Sequence, residues 1–195
     1  KIRRFWARRP ESAWRPLLLK RLYPYLDISR QGPAYLRQFF GRGLEQSNRP
    51  WFAHLPRWTT TALCKEFFSA DLKERLAGAD PLGELEAALP RGIEQWHPFN
   101  QGQYLEARLL MAGYLLSAQG DRMLMANSVE GRFPFLDHRL IEFANRLPPR
   151  MKMRVLREKH LLKRAVGRYL PAPIVQRHKQ PYRAPDIAAF FSGDV

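Results

Sequence analysis

Between Gln101 and Ala118 the chain sets Tyr104, Leu105, Leu109, Ala112, Leu115 and Leu116 largely at steps of three and four, a wide apolar stripe that a helix presents on one side. This segment is expected to be the central core helix, closed by Gly120. No stretch alternates apolar and polar residues for long. β-branched residues are scarce, and Leu, Ala, Arg and Glu dominate, so the fold class is mainly α. Thr61 to Leu76 carries Leu63, Phe67, Phe68, Leu72 and Leu76 at helical spacing before Gly78. Asp137 stands where an N-cap belongs, ahead of Leu140, Ile141, Ala144 and Leu147, and Pro148 and Pro149 end that helix. Glu158 to Tyr169 reads as a further helix, broken before Pro171. Residues 1–60 hold Trp, Phe, Pro and Arg without sustained periodicity and are expected to wrap or connect.

The 195 residues are 45% hydrophobic and 12% aromatic, too apolar for a solvated tail despite a formal net charge of +15. The charge is segregated. Residues 1–60 hold 13 basic and 3 acidic side chains, residues 61–145 hold 8 and 12, and residues 146–183 hold 12 and 1. Such flanks suit a polyanion, a phosphate-binding wall or simply a solvated face. Specific nucleic-acid recognition is not expected, because no paired Cys/His finger, aromatic ribonucleoprotein sequence or basic region leading into heptads is present. No apolar run reaches the roughly 18 to 20 residues of a membrane span. A single cysteine, Cys64, forms no internal disulfide and no closed Cys/His zinc site, which points to a cytoplasmic setting and to no metal site. The chain opens on Lys1 without a signal-peptide pattern, as a piece of a longer polypeptide would.

Self-contained catalytic machinery is missing. There is no Gly-x-Gly-x-x-Gly, Walker loop or Gly-x-Ser-x-Gly elbow. His54, His97, His138, His160 and His178 lie far apart without ligand spacing and read as surface or satisfied core histidines. Cys64, among Leu63, Phe67 and Phe68, reads as a buried small hydrophobe. One segment stands apart: Asp121, Arg122, Glu130, Arg132 and Asp137 are set among Met and Phe between Gly120 and Asp137. They read as a buried ion-pair network joining two helices, or as the wall of a site.

That segment belongs to a longer series. Tyr104-Leu105-Glu106, Tyr114-Leu115-Leu116-Ser117, Gly120-Asp121-Arg122, Met125-Ala126, Ser128-Val129-Glu130 and Arg132-Phe133-Pro134-Phe135-Leu136-Asp137 follow one another in order. They continue into Arg157-Glu158-Lys159-His160-Leu161-Leu162-Lys163, Leu170-Pro171 and Arg177-His178-Lys179-Gln180-Pro181. The series resembles the carboxy-terminal synthetase domain of glutamine-dependent asparagine synthetases over residues 101–185. Residues 1–100 form a basic and aromatic lead-in, and 186–195 a tail. The resemblance implies the helical carboxy-terminal portion of an α/β adenylating domain of the ATP pyrophosphatase type.

It also implies a chemistry. In that family ATP, with Mg2+, activates the aspartate side-chain carboxylate as an acyl adenylate with loss of pyrophosphate, and ammonia released from glutamine by a separate glutaminase domain displaces AMP. Lys159 matches the lysine of the Glu-Lys-His-x-Leu-[Lys/Arg] motif, which stabilises charge moving onto pyrophosphate. Its bland counterpart is a lysine that solvates a helix. Arg177 and Lys179 match the basic pair after the Leu-Pro step and are pyrophosphate-facing or structural.

The family's Ser-Gly-Gly-x-Asp-Ser phosphate loop and the amino-terminal cysteine of its glutaminase are absent from these residues. The fragment is therefore expected to be inactive alone, with the nucleotide-binding half of the synthetase domain and the glutaminase domain as its partners. Two other readings are a related amide-forming enzyme of the β-lactam synthetase or amidotransferase kind with another acid, and a basic helical module that binds polyanions.

Overall fold

In the computed structural model, residues 1–21 and 28–179 are described, and they are helical with no strand among them; a single antiparallel bridge joins Arg154 and Arg157. Gln180, Pro181 and the 186–195 tail lie outside the described residues. Two compact units divide between Pro149 and Arg150.

The first unit begins with α1 (Ile2–Ala7), a 3₁₀ turn over Arg15–Arg21, and α2 (Ile28–Gly41). Short turns at Leu44–Gln46 and Pro50–Ala53 lead into α3 (Leu55–Thr61). Its core is assembled from these short pieces: Ile2, Trp6, Leu19, Leu44, Trp51, Phe52 and Leu55 are buried, and Ile93 and Leu105 join them from further along. Each such side chain contributes about 1.5 to 3 kcal/mol when fully buried. The described residues among 1–60, expected to wrap or connect, supply most of the buried side chains of this core.

A polar clamp holds the wrapping. The buried Arg3 guanidinium donates to the carbonyls of Phe40 (2.8 Å), Arg42 (2.5 Å) and Phe52, and lies 4.0 Å over the Phe52 ring. With burial as the dominant cause, its pKa falls to about 10. Gln101, also buried, donates to the Ile93 carbonyl at 2.9 Å and accepts from Arg4 at 3.1 Å. Gly43 occupies the left-handed region at φ 65, and a Cβ there would stand 2.6 Å from Leu55 Cδ1. The left-handed backbone is what favours glycine there.

The expected single helix over Thr61 to Leu76 is broken. A 3₁₀ turn runs through Ala62–Phe67, Phe68 is extended, and Ser69 then caps α4 (Ala70–Arg75) by accepting from Leu72 N at 3.2 Å. The serine's own competition for backbone donors ends one helix and starts another. Cys64 is consequently exposed, not a buried hydrophobe. After α5 (Pro81–Ala87), α6 (Pro98–Leu105) buries Leu105 completely.

From there the winding changes. Glu106–Asp121 is a π-helix, with Arg122 N donating to Ser117 O five residues back, and the chain continues as α7 (Arg122–Ala126) without stopping at Gly120. Under π-winding, residues spaced by three and four no longer stack on one side. The stripe read as the central core helix is not buried beyond Leu105; Leu109, Tyr114 and Leu115 are exposed. The Asp137 N-cap is present: its carboxylate accepts from Arg139 N at 2.9 Å and Leu140 N at 3.4 Å, opening α8 (His138–Arg146).

The second unit begins within α9 (Pro149–Lys152). A tight turn pairs the backbones of Arg154 and Arg157 at 3.0 and 2.9 Å, with Val155 at φ 55. Then come α10 (His160–Val166), a 3₁₀ turn Gly167–Tyr169, and α11 (Ala172–Gln176) beyond Pro171.

Candidate functional site

The residues singled out by sequence fall in both units. In the second, Lys159 is the residue immediately ahead of α10, and it sits in the left-handed region at φ 53. A non-glycine residue held there carries about 1 to 3 kcal/mol of strain, which its surroundings must impose. Three hydrogen bonds tie down the turn around it. Lys163 N donates to Lys159 O at 2.9 Å, Lys163 Nζ donates to the Arg177 carbonyl at 3.3 Å, and Lys179 N donates to Glu158 Oε1 at 3.2 Å.

The last two bonds lay the Arg177–Lys179 segment beside the Glu158–Lys163 turn. Lys159, Lys163, Arg177 and Lys179 are thereby gathered by backbone geometry, with the single carboxylate of Glu158 engaged on a backbone amide. The sequence motifs assign Lys159 the charge-stabilising role and leave Arg177 and Lys179 as pyrophosphate-facing or structural. Lys163, within the same motif, was not assigned a role, although its place one helical turn after Lys159 is the spacing that lets it reach back.

The residues of the first unit do not form one buried network. Arg132 pairs with Glu130 at 2.8 Å, and the two side chains are 81% and 74% exposed. Asp137 pairs with Arg139, which sequence reading had not chosen, at 3.0 Å. The Arg139 guanidinium, followed by the backbone amides of Arg139 and Leu140, holds the Asp137 carboxyl below the usual carboxylate range. Asp121 and Arg122 make no ion pair among the described residues. Of the five charges, three enter two separate surface pairs, Glu130 with Arg132 and Asp137 with Arg139, because the turn between α7 and α8 faces solvent. Gly131 is where Leu124 and Phe133 approach most closely: a Cβ there would lie 2.6 Å from Leu124 Cδ1.

Of the histidines, His97 caps α6 by accepting from Phe99 N at 3.1 Å. His54 is buried beside Glu106 and stacks on Trp58 with ring centroids 5.1 Å apart. It is a core histidine whose Nε2 faces Glu106 Oε1 at 3.1 Å, while Nδ1 lacks a hydrogen-bond partner among the described residues. No three of His, Cys, Asp and Glu among the described residues converge to hold a metal ion. No helix among them is long and apolar enough to cross a membrane.

Comparison with known proteins bears on what this arrangement serves. The asparagine synthase family model matches residues 5–195. Amidase chyE of Penicillium rubens is 39% identical over 98 residues, which is 47% of this chain and 15% of that protein. Amidase chry2 of Gibberella zeae is 36% identical over 99 residues, 48% of this chain and 15% of its own length. Asparagine synthetase [glutamine-hydrolyzing] 3 of Bacillus subtilis is 36% identical over 125 residues, 64% of this chain and 19% of its own. The matches therefore span less than a fifth of each of these relatives. No solved structure matches.

Proposed function

This chain belongs to the asparagine synthase family, and from that premise we propose that it supplies the helical, cation-bearing part of an ATP-dependent amide-forming ligase. The reaction is glutamine-dependent asparagine synthesis. A carboxylate oxygen of the aspartate side chain attacks the α-phosphorus of ATP, and the bond to the bridging oxygen breaks, releasing pyrophosphate. Ammonia derived from glutamine then attacks the acyl carbon; AMP leaves with the electron pair of the C–O bond, and a proton is lost from nitrogen.

One observation carries the reading: Lys159 is held in a strained backbone conformation at a turn that also carries Lys163, Arg177 and Lys179, with the carboxylate of Glu158 engaged on a backbone amide. Strain of this kind persists where a side chain must be aimed. A compact ammonium on a fixed backbone suits a phosphoryl oxygen that gains charge as pyrophosphate departs, and preorganised charge is the largest common contribution to such a barrier. Lys163, Arg177 and Lys179 add positive potential along the same turn. Mg2+ does not fit the described residues, which offer no converging ligand set. In this proposal its ligands, the phosphate loop and the glutaminase come from the remainder of the parent polypeptide, and the proposed setting is the cytoplasm.

A second reading keeps the activation step and changes the acid. The relatives named as amidases in Penicillium rubens and Gibberella zeae favour it. Pyrophosphate release by the parent enzyme distinguishes the two when aspartate is compared with other carboxylic acids.

The test of Lys159 uses the same assay at saturating ATP and acid. Lys159→Ala lowers pyrophosphate release by ~10²-fold or more, the scale of one preorganised charge-stabilising group. Lys159→Arg recovers only part, and glutaminase turnover is unchanged. Equal rates for wild type and Lys159→Ala, in proteins with equal melting temperatures, would reduce Lys159 to a solvated surface charge.

A further inference from the structure

The 3₁₀ turn over Arg15–Arg21 repeats every three residues, so side chains at i and i+3 eclipse and form rows along it. Leu17 N donates to Trp14 O at 3.0 Å, which brings Trp14 into the same winding. Pro16 and Leu19 form one row; both are buried and root the turn in the core of the first unit. Trp14, Leu17 and Lys20 form another, and all three face solvent, Trp14 at 79% exposure and Leu17 at 41%. The turn packs against α1, where Arg15 lies 4.2 Å over the Phe5 ring and donates to the Phe5 carbonyl. Arg37 donates to the Ala13 carbonyl at 3.2 Å and so fixes the backbone directly ahead of Trp14.

Exposed apolar residues scattered singly need no explanation, but here an indole and an isobutyl group stand in one row on an anchored turn and the row ends in an ammonium. The surroundings carry one sign of charge. Residues 1–21 hold eight Lys and Arg against a single acid, Glu11. Arg3 is spent on the clamp, whereas Arg8, Arg9, Lys20 and Arg21 are exposed and make no ion pair among the described residues. An anionic bilayer complements each part of this surface: indole and leucine enter at the level of the headgroups, and the long cationic side chains extend to the lipid phosphates and carboxylates. A single-stranded nucleic acid would use the charges and the indole but sets no aliphatic group against Leu17.

We propose that the Trp14–Leu17–Lys20 row docks this chain reversibly on an anionic lipid surface, lying on the bilayer without crossing it. The row belongs to the first unit and Lys159 to the second, so the proposal does not rest on the ligase reading.

Co-sedimentation of the full chain with vesicles tests it, one set of phosphatidylcholine alone and one an equal mixture with phosphatidylserine. Binding is expected to the mixture and not to phosphatidylcholine alone, and it weakens as added salt screens the surface charge. Trp14→Ala weakens binding about tenfold or more, the scale of one large apolar side chain leaving water. Lys20→Gln with Arg21→Gln weakens it on the order of 20-fold, about fivefold for each cation. Lipids brominated on their acyl chains quench the fluorescence of the wild type more than that of Trp14→Phe, a variant that still binds and so separates insertion of the indole from loss of fold. All four proteins are compared at equal melting temperature by circular dichroism. The proposal is overturned by absence of binding to the mixture, by equal binding to phosphatidylcholine alone, or by binding indifferent to Trp14→Ala. A single-stranded oligonucleotide that binds more tightly than the mixed vesicles, with the same dependence on Trp14, overturns it in favour of a nucleic-acid partner.

Discussion

His54 Nε2 and Glu106 Oε1 stand 3.1 Å apart, an imidazole that is 4% exposed against a carboxylate that is 40% exposed. The same carboxylate oxygen lies 3.2 Å from Arg57, so one acid serves two bases, one inside and one outside. Burial is the dominant influence on His54 and drives its pKa below the ordinary histidine value; Glu106 pulls it back and Arg57 opposes that pull. On acidification the unfolded chain takes up this proton first, near pH 6.5, while the folded chain resists. His54 therefore contributes stability above that pH, and the contribution is lost as pH falls toward the lowered folded value. The melting temperature should drop between pH 7 and pH 5 more steeply for wild type than for His54→Gln. Parallel pH profiles for the two proteins would show that the imidazole takes up its proton at the same pH in the folded and unfolded chain.

Arg3 offers a test of the clamp. Arg3→Ala leaves the carbonyls of Phe40, Arg42 and Phe52 without their shared donor and exposes one face of the Phe52 ring. A loss of about 2 kcal/mol or more is expected for abandoned buried acceptors, corresponding to a fall in Tm of roughly 4 to 8 °C. Arg3→Lys should recover only a fraction, since three rotating donors on one atom do not span three carbonyls. Thermal unfolding followed by circular dichroism decides it. A change under one degree for Arg3→Ala would mean that water replaces the guanidinium without cost.

The Glu130–Arg132 pair should behave in the opposite way. Read from sequence as part of a buried network, it would cost 3 to 5 kcal/mol to break. Exposed as it is, the pair contributes about 0 to 1 kcal/mol. Arg132→Ala is expected to leave Tm within a degree or two, whereas Asp137→Ala, which removes the cap of α8, lowers it visibly and Asp137→Asn does not. Comparable losses for Arg132→Ala and Asp137→Ala would place Arg132 in a load it does not show in this fold.

These contrasts trace what the residues disclosed in advance. The Asp137 cap, the stop at Pro148 and the position of Lys159 at a helix start are local effects, governed by a few adjacent atoms, and each was readable from its neighbours. The core was not. Trp6, Leu19, Phe52 and Ile93 reach it from separate short turns, so no window of sequence holds enough of them to show a period. The stripe from Tyr104 to Leu116 did show one, and misled, because the change of winding after Leu105 depends on hydrogen bonds that leave no mark on composition. At the site, the motifs named Lys159, Arg177 and Lys179, but the means of bringing them together, a lysine reaching back to a carbonyl and an acid engaging an amide, required the fold.

The run from Pro98 to Ala126 is secured at one extremity only: Leu105 is fully buried, and no residue from Glu106 to Asp121 is. Mechanically it is a cantilever rooted at Gln101 and Leu105. A small tilt at the root sweeps the far end, and with it the loop bearing Glu130 and Arg132, through a much larger arc. Amide hydrogen exchange along it should grade accordingly, slow at the root and progressively faster outward, so that a side chain such as Gln101, remote from the loop, governs its aim.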